Sequence, residues 1–257
     1  MGGDLLLSAS GLKRQFGHVL ALVDGSVDVY SREIHALVGD NGAGKSTLVN
    51  ILSGVLRADA GRVELEGREL RLMTPRDAMD AGIETVYQDL ALAATLDAGE
   101  NVFLGRELHL RGLLGKLRFV DRAEMRRRTG EALEGLGIKL PSPRTAVGSL
   151  SGGQRQAVAI ARSVIWGRKV LILDEPTAAL GPQQTQVVHD IMMKACVGHN
   201  LAILWISHNM PEVFEVADRV TVLRLGRRVM TSPVSETSVD ALLRAMTGAD
   251  GSGELLP

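Results

Sequence analysis

Short continuous apolar runs alternate along this chain with apolar residues at helical spacing. Ile34-His35-Ala36-Leu37-Val38 is one such run, and Leu48, Val49, Ile51 and Leu52 then recur on one side of a helix. Val170-Leu171-Ile172-Leu173 runs straight into Asp174-Glu175, and Leu201–Ser207 repeats that pattern ahead of His208. Unbroken apolar runs of this length predict strands buried on both faces, as in a parallel sheet. Helices expected over Gln183–Cys196 and Pro211–Val216 complete the alternation of an α/β fold.

The flanks read differently. Leu5–Ala9 and Val27–Tyr30, then Val63 and Leu65 turning through Glu66-Gly67 to Leu70 and Leu72, predict small antiparallel pieces beside the main sheet. Residues 76–82 predict a short helix stopped by Gly82, followed by a strand Ile83–Tyr87 that ends at Gln88. From Asp89 to Ile165 helical signals dominate. Asp121 and Glu124 resemble a capping box, with Met125, Ala132, Leu133 and Leu136 on one face. Arg126-Arg127-Arg128 sits on that helix between Glu124 and Glu131, with no interleaved aromatics, and reads as a solvated face rather than a nucleic-acid patch. Arg219–Leu225 and Arg228–Met230 predict closing strands, Ser238–Met246 a small helix and Gly248–Pro257 a loose tail. Each motif occurs once.

Composition narrows the class without naming a function. The 257 residues are 45% hydrophobic and 23% charged, the profile of an ordinary globular protein with a proper core. A formal net charge of −1 gives no global pull toward nucleic acid or an anionic membrane. The single cysteine, Cys196, excludes an intrachain disulfide framework and lies on an apolar helix stripe, where buried packing is expected. No stretch reaches the roughly 18 apolar residues of a membrane helix. Met1-Gly2-Gly3-Asp4-Leu5 has no positive segment before an apolar core, so no secretory signal is read and the chain is expected in the cytosol.

The candidate chemistry starts at Gly39-Asp40-Asn41-Gly42-Ala43-Gly44-Lys45-Ser46-Thr47, which fits the G-x-x-x-x-G-K-[ST] phosphate loop between a strand and a helix. Glycines let successive N–H groups point inward at an anion, and the following helix adds its positive end. Lys45 would reach the β- and γ-phosphates and the Ser46 hydroxyl would ligate Mg²⁺. In an open parallel sheet, ligands lie beyond the carboxyl ends of the strands. Here those ends carry Gly39, Gln88, Asp174-Glu175 and Ser207-His208. Asp174 is placed to hold Mg²⁺ and Glu175 to orient or deprotonate a water, while Gln88 would ligate the metal or the water. His208 would sense the γ-phosphate by hydrogen bonding; either residue, met alone, would be an ordinary polar side chain. Leu150-Ser151-Gly152-Gly153-Gln154-Arg155-Gln156 opens a helix Gln156–Ile165 and reads either as half of a second phosphate site or as a loop and N-cap.

With these residues in place the chain resembles the ATP-binding subunit of an ABC transporter. Leu150–Gln156 is similar to that family's signature, and the order phosphate loop, Gln88, signature, Leu171–Glu175, His208 is the family's order over about residues 5–230. The resemblance implies an α/β phosphate-loop NTPase core with a mainly parallel sheet, an N-terminal antiparallel β subdomain and an inserted helical subdomain. The core would span about 1–88 and 161–230, the insertion about 89–160 and a C-terminal tail about 231–257. It also implies two subunits packed head to tail around two ATP molecules, Gly39–Thr47 of one facing Ser151–Gly153 of the other. This chain, with one set, would pair with a copy or a relative. Phe16 matches the aromatic that stacks on adenine; read alone it is a core residue. Two departures stand out: Gly181 replaces the usual acid after Ala179-Leu180, and Arg32 replaces a turn glycine before Glu33. Val86–Leu92, Glu100–Glu107 and Ala178–Gly181 are similar to monosaccharide importers, implying a membrane permease as partner, indirectly a solute-binding protein, no nucleic acid, and a place at the cytoplasmic face of the inner membrane. The competing expectations are an importer ATPase for another small solute, a soluble ABC-type ATPase acting on nucleic acid or ribosomes, and a regulatory ATP-binder without turnover.

Overall fold

The computed structural model describes residues 3–112, 117–142, 144–178 and 180–248. Met1, Gly2, Ala179 and positions 249–257, where most of the expected loose tail falls, lie outside the described residues. In chain order the strands are β1 (Leu5–Phe16), β2 (Val19–Tyr30), β3 (Ile34–Val38), β4 (Ala60–Leu65), β5 (Arg68–Leu70), β6 (Ile83–Val86), β7 (Val170–Asp174), β8 (Ala202–Ile206), β9 (Arg219–Arg224) and β10 (Arg227–Pro233). The α-helices are α1 (Lys45–Leu52), α2 (Pro75–Ala81), α3 (Ala98–Val102), α4 (Arg122–Gly135), α5 (Gly152–Trp166), α6 (Pro182–Gly198), α7 (Met210–Val216) and α8 (Val239–Thr247).

The strands form one ten-stranded sheet in the order β5-β4-β1-β2-β10-β9-β3-β8-β7-β6. β6, β7, β8, β3 and β9 run parallel, while β1 is antiparallel to its neighbours β2 and β4, and β4 to β5. The fold class expected from the apolar runs therefore holds. Both faces of the parallel half are covered. Leu171, Leu173, Ile203 and Trp205 enter one core cluster with α5 and α6, while Val170, Ile172, Leu204 and Ile206 enter the other with α1. Alternation of side chains across the strand places every residue of such a run in one core or the other, which removes the polar positions that mark a half-exposed strand.

The N-terminal pieces differ from expectation. Leu5–Ala9 and Val27–Tyr30 are the ends of two twelve-residue strands, not short segments. Register shifts along the β1–β2 pair, with Gly11 at φ 62, break the two-residue alternation that marks a strand in sequence. Arg32, where the resemblance leads one to expect a turn glycine, turns the chain in the left-handed region at φ 57. Among the described residues, the stretch where helical signals dominate carries α3, α4, α5 and a 3₁₀ turn at Val147–Ser149, with irregular chain between them. Asp121 caps α4 by accepting from the Glu124 N–H, and Met125, Leu133 and Leu136 are buried as expected. The arginine trio is held by carboxylates: Arg126 by Asp97, Arg127 by Glu124 and Glu131, Arg128 by Glu124. Cys196 is buried, and desolvation pushes its thiol pKa up to about 11, which suits packing rather than reactivity. β10 extends to Pro233, and α8 buries Leu242 and Met246 in the core that contains β9.

Candidate active site

Strand register brings the site together. Val86 pairs with Leu173, Leu173 with Trp205, and Trp205 with Ala36, so β6, β7, β8 and β3 end within a few residues of one line. The segments leaving that edge carry Gln88, Asp174-Glu175, Ser207-His208 and Gly39, four of the groups the sequence pointed to.

The loop between β3 and α1 closes tightly because a side chain is excluded at two points. A Cβ at Gly39 would collide with the Leu223 carbonyl, and one at Gly44, at φ 100, would sit 2.7 Å from the Ala21 carbonyl oxygen. The Gly226 N–H, from the β9–β10 turn, donates to the Ala43 carbonyl at 3.0 Å and braces the loop from behind. The N–H groups of Gly42, Gly44, Lys45 and Ser46 have no acceptor among the described residues, and α1 has no side-chain cap. These are the unpaired donors of a helix start, curled into an anion nest. Lys45 lies inside the curl, its Nζ donating to the Gly39 carbonyl at 2.6 Å and the Asp40 carbonyl at 3.0 Å. Burial lowers its pKa, opposed by the charges of Glu175, Asp40 and Asp174. Asn41 and Ser46 are exposed on the loop's open side, with Thr47 half-buried beside them.

Asp174 ends β7 half-buried, and desolvation first, then the neighbouring Glu175 charge, raises its pKa, while Lys45 lowers it. Glu175 turns the chain at φ 49, a left-handed conformation that a non-glycine residue adopts only when its surroundings fix it. Its N–H donates to the Ile206 carbonyl at 3.1 Å, tying the segment after β7 to the end of β8. The His208 Nδ1 lies 3.4 Å from Glu175 Oε1, and the ring is 65% exposed. Glu175, Ser207 and His208 line a cavity of about 230 Å³ with Thr177, Ala178, Leu180, Asn209 and Glu212. Gln88 is exposed just past β6.

Over residues 22–178 the sequence matches the ABC transporter family. The chain belongs to that family. It is 45% identical over 252 residues to the fructose import ATP-binding protein FrcA of Rhizobium meliloti, covering 97% of this chain and 96% of that protein. Ribose import ATP-binding protein RbsA of Burkholderia pseudomallei is 41% identical over 249 residues, 96% of this chain but 47% of its own length. This chain thus spans about half of that relative. Two solved structures share the fold. One is an ATP-binding cassette of an ABC transporter in its ADP conformation, with TM-score 0.79, 23% identity, and 98% and 97% of the two chains covered. The other is cbiO1 from Clostridium perfringens, part of the ABC transporter complex cbiONQ, with TM-score 0.77, 25% identity and 95% of each chain covered.

The Ser151-Gly152-Gly153 turn opens α5. Ser151 is the N-cap of α5, its Oγ accepting from the Gln154 N–H at 3.2 Å while Gln154 Oε1 accepts from the Ser151 N–H at 3.0 Å. The helix therefore starts at Gly152, four residues before the apolar periodicity announces it. Gly153 is pressed on Gln184, where an added Cβ would lie 3.0 Å from the glutamine Cβ. Among the described residues no hydrogen bond joins Ser151, Gly152 or Gly153 to Gly39–Thr47. Phe16 is not core, the reading it invites in isolation: it is 43% exposed, at the tip of the β1–β2 hairpin, with the Arg14 guanidinium 4.9 Å from its ring centre. Turn geometry puts it there, next to Gly17 at φ 58.

Sequence reasoning missed Thr177, Asn209 and Glu212, whose side chains join two of the site's segments. Thr177 Oγ1 donates to Glu212 Oε2 at 2.7 Å and Asn209 Nδ2 donates to Glu212 Oε1 at 2.6 Å. Their nearness in sequence to Glu175 and His208 was the one available signal.

Proposed function

We propose that this chain is the ATP-hydrolysing subunit of an ABC importer for a monosaccharide of the fructose or ribose type, working against a membrane permease. The observation that carries the ATPase reading is the anion nest of Gly39–Thr47 on the same sheet edge as Asp174, Glu175 and His208. The relatives named for fructose and ribose import supply the solute class.

The donor set fits a nucleotide with its metal. Unpaired N–H groups in the loop take phosphate oxygens, and Lys45 exchanges its two loop carbonyls for the β- and γ-phosphates. Ser46, Asp174 and Gln88 would hold Mg²⁺ beside the phosphates. Among the described residues no group of three or more His, Cys, Asp or Glu side chains is arranged to hold a metal ion. Phosphate oxygens and water would complete the shell, as is usual for this ion. When bound, Mg²⁺ neutralises charge developing on the phosphates. Glu175 accepts the proton of the attacking water, and His208, beside it, hydrogen-bonds the γ-phosphate. Phe16, exposed at the hairpin tip, offers its ring to adenine.

As the family resemblance implies, Ser151–Gly153 of a second copy, or its counterpart in a paralogous ATPase, supplies the opposite half of each site, and ATP-driven closure of the pair is the working stroke. The nucleotide core would comprise about 1–88 and 161–230, with a helical subdomain over about 89–160 contacting the permease and a C-terminal segment from about 231. Among the described residues no helix is long and apolar enough to cross a membrane. Attachment at the cytoplasmic face would come through the permease, which receives the sugar from a solute-binding protein.

Glu175→Gln tests the reading. Turnover should fall about 10²–10⁴-fold, the worth of a general base, and an ATP-dependent dimer should persist in gel filtration. Lys45→Ala should abolish ATP binding. Unchanged turnover in the first variant, or parental ATP affinity in the second, refutes the assignment. Recovery from detergent-solubilised membranes with ribosomes and without a permease would remove the transport role.

A further inference from the structure

The segments after β7 and β8 each carry one half of the hydrolytic pair, yet they are loops, and Glu175 is held in a backbone conformation that does not persist unsupported. Main-chain hydrogen bonds and one side chain hold them. Of the main-chain bonds, one runs from the Glu175 N–H to the Ile206 carbonyl, and others run from the Ala178 N–H to the Glu175 carbonyl, from the Leu180 N–H to the Thr177 carbonyl and from the Ser207 N–H to the Leu37 carbonyl. The side chain is Glu212, in the first turn of α7. One of its carboxylate oxygens accepts from Thr177, two residues after Glu175, and the other accepts from Asn209, the residue after His208. Both bonds are short, and a charged acceptor makes such bonds about twice as strong as neutral ones. The carboxylate is only 15% exposed, and the His189 Nε2 lies 3.5 Å from the same oxygen that Thr177 reaches, too far to share in a hydrogen bond. No atom of Glu212 is hydrogen-bonded to the phosphate loop among the described residues.

We infer that Glu212 is a positioning residue: it clamps the Glu175 segment to the His208 segment, so that base and γ-phosphate sensor stay in register, and takes no part in binding the nucleotide. The inference rests on the proposed roles of Glu175 and His208. A carboxylate is suited to the task because it offers two acceptors in a fixed plane and no donor, matching one hydroxyl and one amide N–H that approach from different loops. Misplacement of a catalytic group by about 1 Å costs up to ~10²-fold in rate.

The experiment compares steady-state ATP hydrolysis by the full chain for Glu212→Ala, Glu212→Gln, Thr177→Val and Asn209→Ala, with thermal melting to check the fold. Glu212→Ala should lower kcat by about 10–100-fold while KM for ATP moves less than about threefold, and Glu212→Gln should recover to within a few-fold. The amide can accept from Asn209 and donate to the Thr177 hydroxyl, so the bridge survives without the charge. If Glu212→Ala does not fold, Thr177→Val and Asn209→Ala each open one arm and should give the same split between kcat and KM, and the double variant should be no worse than the poorer single one. Parental kcat in Glu212→Ala, a rise in KM as large as the fall in kcat, or additive losses in the double variant would overturn the clamp. Glu175→Gln and His208→Ala run beside them. If those two stop turnover and Glu212→Ala does not, the clamp alone is wrong; if those two leave turnover intact, the site assignment falls and the clamp with it.

Discussion

Asn101 offers a quantitative test of how the chain after Gln88 is held. It stands in α3 with no exposed surface, and its side chain faces the turn of chain at positions 93–97. Oδ1 accepts from the Ala93 N–H at 2.7 Å, and Nδ2 lies within bonding distance of the carbonyls of Ala93 (3.0 Å), Leu96 (3.2 Å) and Asp97 (3.0 Å). An amide nitrogen has two hydrogens, so three carbonyls share two donors and the true count is three hydrogen bonds, one of them divided. At about 1 kcal/mol each, Asn101→Ala should cost about 3 kcal/mol, more if the Ala93 N–H is left without water. Asn101→Asp keeps the shape but turns an oxygen toward three carbonyls, and should cost at least as much, which separates polarity from cavity formation. Because the loss falls on one loop, amide exchange of Ala93 is the sharpest assay, with urea unfolding beside it. A loss of about 3 kcal/mol converts to exchange faster by roughly 100-fold where local opening governs it. Exchange at Ala93 within a few-fold of the parent, together with a stability change below about 0.5 kcal/mol, would refute the accounting. The same loop links Gln88 to the helices proposed to face the permease, so ATP turnover stimulated by the permease should fall more than basal turnover.

Three further outcomes follow from the geometry, beside those for Glu212. Gly181 caps α6 at φ −77 and ψ 164 with no side-chain bond, and a Cβ there meets nothing within 4 Å among the described residues. Gly181→Asp should therefore stabilise by a few tenths to about 1 kcal/mol through the cap and the helix end, read as a rise in Tm; a fall would contradict the open geometry. Asp174 has its pKa raised by burial, so its ionised form costs the nucleotide-free fold stability as pH rises through its folded pKa. Asp174→Asn should melt higher than the parent at pH 8, with the advantage shrinking toward pH 4, and should hydrolyse ATP poorly; an equal Tm at both pH values would refute the sign. Glu175→Gln, with its trapped dimer, remains the direct test of the chemistry.

The primary structure alone carries what depends on neighbours within a turn or a strand. Apolar runs such as Val170–Leu173 specify strands with both faces buried, and Gly39–Thr47 specifies a loop whose curl needs residues without a Cβ. The parallel order of those strands then sends Gln88, Asp174, Glu175 and His208 to one edge, because parallel neighbours end on the same side of the sheet. Local pattern is silent where long-range geometry sets the environment. Phe16 is apolar and reads as core, but the turn at Gly17 carries it out to solvent. The full lengths of β1 and β2 are hidden because register shifts scramble their alternation. Nothing in the spacing of Thr177, Asn209 and Glu212 announces a bridge between loops; only the approach of α7's first turn to the loop after β7 makes one. Hydrogen bonds between segments tens of residues apart are set by tertiary packing, and that packing is what turns four separate strand ends into one site.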